Sequence, residues 1–243
     1  MKRVKRIITS AAVLSLLMSP LSVSGQLDKK PPSKWTESEA RLVLSDSPWG
    51  KSQRFITGSG EEPTTGRGLD FDRPGGNPGP NTPSPDSLIF RMCLLSAKPV
   101  REAISRRLLR DKRDERLDDI IHGLLDDFTP EAESENIVIL VSCASKPGPR
   151  LEQAQSALDN NKTDDLKPET FLEIKGGKRV YLSEYKSYGR VGGVFIFPRL
   201  VDGEPLITDK SGELHFHTKL SKLFKLDARY KPKEMIYQGK LEY

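Results

Sequence analysis

Leu88-Ile89-Phe90-Arg91-Met92-Cys93-Leu94-Leu95 decides how this chain folds. It is an almost continuous apolar run broken by a single charge, the pattern of a strand buried on both faces. Behind it, Val100, Ala103, Ile104, Leu108, Leu117, Ile120, Ile121, Leu124 and Leu125 recur at helical spacing across residues 97–128. The charged run over residues 106–116 is the solvated middle of that helix, or a break between two. Ile137-Val138-Ile139-Leu140-Val141-Ser142-Cys143 is a second apolar strand. Strand, helix and strand in this order predict one crossover unit, its strands parallel or separated within one sheet.

Further along, the period of the apolar residues changes. After a polar helix over residues 151–158, a hairpin is expected from 170–174 and 180–182 around Gly176-Gly177. Strands follow over 191–199 and 213–220, with turns at Asp202-Gly203 and Ser211-Gly212. A last pair around 223–226 and 235–243 closes the chain. Residues 87–243 therefore read as an α+β domain with a mostly antiparallel sheet.

The segments upstream differ in kind. In residues 57–86, seven glycines from Gly58 to Gly79 alternate with prolines and few large apolar residues interrupt them. Such a stretch buries too little surface to offset its ordering entropy, so it reads as a flexible linker or long loop. Gly66-Arg67-Gly68 lacks the strand, the helix and the GK[ST] of a phosphate-binding loop. Residues 26–56 carry a short helix: Thr36 with Glu39 forms a capping box, and Trp35 stands where a hydrophobic staple would. That helix should stop before Pro48, leaving Trp49 just beyond it. A helix this short is marginal alone, so Trp35 and Trp49 are candidate interaction residues that anchor it on the main domain or on a partner.

Residues 1–25 have the layout of a secretory signal. Lys2, Arg3, Lys5 and Arg6 precede an apolar run over 7–18 and small residues ending at Gly25. The run is shorter than the about 20 residues of a membrane span, so cleavage after Gly25 is expected, with an uncleaved anchor as the alternative. No cysteine lies near the cleavage site for lipoprotein acylation. The chain carries 39 basic and 34 acidic residues; without the four basic residues of the signal, 35 face 34, a net of +1. The basic balance is thus mostly a targeting feature, and nucleic acid is not an implied partner. An exported protein is expected, periplasmic or secreted, with no integral span after signal cleavage.

Three groups of residues carry candidate chemistry. In a strand, Glu213, His215 and His217 point to one face, with neighbours about 6.6 Å apart, close enough to share a divalent metal. The same alternation describes any half-exposed strand, and no HExxH or third nearby histidine supports a site. Cys93 and Cys143 lie inside apolar strands and form no CxxC, which argues against a nucleophile. They could be bridged as a disulfide if their strands were adjacent, or stay buried and unpaired. The arginines between Arg101 and Arg116 alternate with acids and read as a solvated helix face.

The segment Trp35-Thr36-x-x-Glu39-Ala40-x-x-Val43-Leu44-x-x-Ser47-Pro48-Trp49 resembles a motif of exported proteins common in acidobacteria and associated with the GWxTD-domain group. Leu95-Ser96-Ala97-Lys98-x-Val100-Arg101-Glu102-Ala103, Phe197-Pro198-Arg199 and Met235-Ile236-Tyr237-Gln238-Gly239-Lys240-Leu241-Glu242-Tyr243 are similar to the same group, while the GWxTD motif itself is absent. The resemblance implies a compartment and a fold type but no activity. The functional expectation is a non-catalytic interaction or cell-envelope-associated module with no cofactor and a protein or envelope partner. A metal-assisted hydrolase centred on His215 and His217 is the alternative.

Overall fold

The two apolar runs lie side by side in one sheet. The computed structural model describes residues 30–56, 64–65, 87–108, 115–127, 135–175, 177 and 179–243. The signal segment and, apart from Thr64 and Thr65, the glycine- and proline-rich stretch at 57–86 lie outside the described residues. The first sheet contains strands β1 (Gly50–Ile56), β2 (Thr64–Thr65), β3 (Ser87–Leu94), β4 (Asn136–Ala144), β7 (Glu184–Ser187) and β8 (Gly193–Pro198). They are ordered β2-β1-β3-β4-β8-β7, six strands with every neighbouring pair antiparallel. A second sheet, ordered β12-β11-β5-β6, holds β5 (Phe171–Ile174), β6 (Arg179–Tyr181), β11 (Leu214–Lys219) and β12 (Lys225–Tyr230), also antiparallel. Two short hairpins, β9 (Leu200–Val201) with β10 (Glu204–Pro205) and β13 (Ile236–Tyr237) with β14 (Lys240–Leu241), complete an α+β fold.

The expected crossover is corrected by the register. β3 and β4 are direct antiparallel neighbours, with Leu94 opposite Ile139. The connection holds two helices, α2 (Lys98–Leu108) and α3 (Glu115–Asp127), after α1 (Glu37–Val43) upstream. Antiparallel pairing runs β4 against the direction of β3, so this connection is not a parallel crossover.

The domain division at Ser87 is corrected as well. β1 pairs with β3 along its whole length, from Gly50 opposite Cys93 to Ile56 opposite Ser87. Residues 30–56 therefore share one sheet and one core with the chain beyond Ser87. The capping box forms as expected: the Glu39 amide donates to Thr36 Oγ1 at 3.2 Å and the Thr36 amide to Glu39 Oε2 at 2.7 Å. Past the end of α1, Ser47 Oγ accepts the amides of Trp49 and Gly50, turning the chain into β1.

Side-chain hydrogen bonds join the two sheets: the Tyr230 hydroxyl of β12 donates to the Met92 carbonyl of β3 at 3.1 Å, and Gln53 bridges from the other direction. Gln53 of β1, 1% exposed, donates from Nε2 to the Lys225 carbonyl at 3.0 Å and accepts the Asp227 amide at 2.9 Å. Its carboxamide does for β12 what a neighbouring strand would do, so this polar residue is buried without an unmet group. Elsewhere the sheets pack through aromatic edges, Phe216 of β11 against Phe195 and Phe197 of β8. β11 alternates as expected, with Leu214, Phe216 and Thr218 inward and His215, His217 and Lys219 half-exposed. Among the described residues, no helix is long and apolar enough to cross a membrane.

Candidate functional site

The tryptophans place the site. Trp35 and Trp49 are both fully buried, and each meets the Tyr237 ring edge-on, with centroids 6.3 and 6.1 Å away. The Trp49 indole donates to the Glu242 carbonyl at 2.9 Å, and the Trp35 indole to that of Lys30 at 3.4 Å. The helix therefore docks on its own domain, under the β13–β14 hairpin, and neither indole is presented to a partner. Gln238 and Gly239 turn that hairpin with φ of 51° and 77°, the left-handed pair of a tight β-turn.

Beside the hairpin lies a cleft of about 1170 Å³. Lys98 and Arg101 of α2, Arg199 at the end of β8, and Tyr237 and Glu242 all line it. Those residues come from three of the sequence stretches singled out above. The fourth, bearing the tryptophans, packs directly beneath. Arg101 is 7% exposed, and its Nη1 donates to the carbonyls of Leu95 (3.2 Å) and Ser96. Arg199 donates from Nη2 to the Tyr243 carbonyl and lies over the Tyr243 ring, 4.1 Å from its centroid. The Nε atoms of both arginines are buried and have no hydrogen-bond partner among the described residues. An unmet buried donor costs about 1–3 kcal/mol, and more when charged.

The electrostatics of the cleft follow from these contacts. The Glu242 carboxylate accepts the Lys98 amide at 3.0 Å, placing negative charge at the start of α2. Burial pulls the Arg101 guanidinium below its ordinary pKa, and the charges of Glu242 and Glu102 pull it back. Arginine nonetheless stays protonated. Burial also raises the Glu102 carboxyl, opposed by the hydrogen bond it accepts from Tyr237 at 2.7 Å. The sequence pattern places Arg101 on a solvated stripe. The helix splits that stripe: Arg101 faces inward, Arg106 donates from Nε to the Trp35 carbonyl at 2.9 Å, and Arg107 is exposed.

His215 and His217 share one face of β11, but they converge on a residue that the strand pattern does not single out. His215 Nε2 and His217 Nδ1 both hydrogen-bond Asp227 Oδ1, at 2.9 and 2.8 Å. Asp227 sits opposite His217 on β12, and those two contacts hold its carboxyl well below the usual range. Phe171 of β5 stacks on His217 at 5.0 Å and carries Arg179 over its ring. Glu213 lies before the strand, its carbonyl accepting the Lys175 amide at 2.9 Å. Among the described residues, no three His, Cys, Asp or Glu side chains form a metal-binding group.

The cysteines are free. Their strands are adjacent, yet Cys93 faces Leu140 while Cys143 faces Phe90, three positions further along the ladder. An odd offset puts the thiols on opposite faces, with α-carbons about 11 Å apart, beyond the about 7 Å that a disulfide tolerates. The disulfide expectation fails on register alone. Burial pushes Cys93 up to about 12 and Cys143 up to about 11, so neither is a thiolate near neutral pH. Cys93 instead lies 2.9 Å from the Leu44 carbonyl as a weak donor.

Compared with known proteins, the chain matches no family model, no curated protein and no solved structure.

Proposed function

We propose that this is an exported, non-catalytic binding module that engages a protein or cell-envelope partner through the cleft beside β13–β14. The observation that carries the reading is Arg101. A guanidinium 7% exposed fixes one nitrogen on two carbonyls and keeps further donors at the wall of a large cleft. Binding surfaces enclose a few convergent polar groups within apolar walls in this way. The state of the thiols supports the non-catalytic half, since burial raises both. Support for export is the basic, then apolar, then small-residue order of residues 1–25, together with the resemblance to exported proteins.

Site-specific photo-crosslinking tests the reading. A benzophenone side chain at Gln238 or Lys240, both exposed on the rim, should give a discrete adduct in the exported fraction. The same group at Leu223, exposed elsewhere, should give none. Equal labelling from all three positions, or none from the rim, would overturn the assignment.

A further inference from the structure

Resting on that reading, we infer that the cleft holds its partner by an oxyanion, a carboxylate or phosphoryl group borne on an apolar body, gripped between Arg101 and Arg199. The first argument is geometric. The Leu95 and Ser96 carbonyls fix Nη1 of Arg101, so the guanidinium cannot turn freely. Its Nε is left without a partner among the described residues, and the Nε–Nη2 edge is the fork which meets two oxygens of one group side by side. Arg199, just past the end of β8, is tied differently: its Nη2 donates to the Tyr243 main-chain oxygen, which leaves Nη1 as the nitrogen that can meet the same group.

Charge is the second argument. The resident acid does not satisfy Arg101. Glu242 is near enough to favour its charge, yet the Glu242 carboxylate is hydrogen-bonded to the Lys98 amide. Among the lining side chains, Lys98, Arg101, Arg199 and Lys240 stand against Glu135 and Glu242. Incoming negative charge is therefore favoured, and a cation is not. The third argument is the rest of the wall. Pro198, Ile207, Leu241 and the ring of Tyr243 line the same cleft, so a bare ion would leave apolar surface uncovered.

The test uses the full mature chain and four probes: phenylacetate, phenyl phosphate, inorganic phosphate and uncharged phenylacetamide. Arginine Nε–Hε resonances in a proton–nitrogen correlation spectrum report the contact directly. Two of them should move with phenylacetate or phenyl phosphate, and neither with phenylacetamide. The tighter of the two anions then assigns the group as carboxylate or phosphoryl. Arg199→Lys should remove one of the moving signals and weaken binding about tenfold, because an ammonium keeps the charge and loses the planar guanidinium. Arg101→Lys should do the same; if it does not fold, Arg199→Lys and the native spectra decide. Inorganic phosphate binding as tightly as phenyl phosphate would overturn the apolar body. No shift with any anion at millimolar concentration would overturn the inference itself. If rim crosslinks persist in that case, the binding reading stands with a neutral partner; if they are also missing, both fall.

Discussion

Replacing Trp49 by alanine removes the residue on which the N-terminal segment is anchored, and the structure lets the loss be estimated. The indole is fully buried, so the truncation should cost about 3–5 kcal/mol, the range for deleting a buried aromatic. Part of that sum can be isolated. Trp49→Phe keeps most of the volume and the edge contact with Tyr237 but leaves the Glu242 carbonyl without its 2.9 Å donor. An unsatisfied buried acceptor costs about 1–3 kcal/mol, so phenylalanine should recover roughly half of the alanine loss. A double-mutant cycle of Trp49→Ala with Tyr237→Ala should return a coupling of about 0.5–1.5 kcal/mol for the ring pair. Urea unfolding followed by far-ultraviolet circular dichroism measures all of these without relying on the altered fluorophore. Midpoints should shift with the slope unchanged. A loss under about 1 kcal/mol for Trp49→Ala would refute the anchoring argument, since no fully buried indole with two specific contacts should be that cheap to delete.

Other expectations rest on the same contacts. Asp227 has a folded-state pKa below its unfolded value, so its contribution is full above pH about 4 and is lost as pH falls through the lower folded value. Acidification over that range should destabilise the native protein more than Asp227→Asn, and parallel stability curves would contradict this. Gly50→Ala should cost about 1–3 kcal/mol, because the new Cβ would lie 2.7 Å from the Leu44 carbonyl carbon and 2.9 Å from the Ser45 nitrogen, both backbone atoms; a neutral effect in thermal unfolding would show that the turn can relax. Cleavage within residues 57–86, expected from their glycine and proline content, should leave residues 30–56 bound to the remainder through β1 and β3. Two separate peaks on gel filtration would argue against that. Mass spectrometry of the exported form should find Gln26 at the mature N-terminus, and retention of residues 1–25 in a membrane fraction would be the opposite result.

The elements visible in the sequence are those fixed by local period and local chemistry. The apolar runs that form β3 and β4, the capping box at Thr36 and the alternation along β11 each depend on residues a few positions apart. β1 is hidden because one of its most buried side chains is polar. Gln53 tolerates burial only because Lys225 and Asp227, 172 and 174 positions away, complete its hydrogen bonds. The crossover is misleading because strand, helix and strand follow one another in sequence, whereas the direction of β4 is set by its pairing with β3. At the sites, strand alternation correctly groups His215 with His217. It cannot supply Asp227, whose position depends on the register of a neighbouring strand. Arg101 reads as solvated because its charge dominates any pattern, whereas its place is set by two carbonyls just ahead of it in the chain. Periodicity reports neither the pairing of distant strands nor the carbonyls that a folded backbone leaves free to accept.

Consider a chain that is only partly made, still on the ribosome. Trp49 is tied to Glu242 across 193 positions, and both tryptophans rest against Tyr237. Until the last hairpin arrives, α1 has its cap but not its aromatic lid. Its two indoles, among the largest side chains of the core, face water or whatever holds them. Contacts of such sequence separation delay folding, because loop closure must precede the gain. The segment made early is thus secured late. A chain lacking residues 235–243 would lose the Tyr237 ring and the Glu242 carbonyl against which these indoles rest, so the first helix depends on the last residues to be covered.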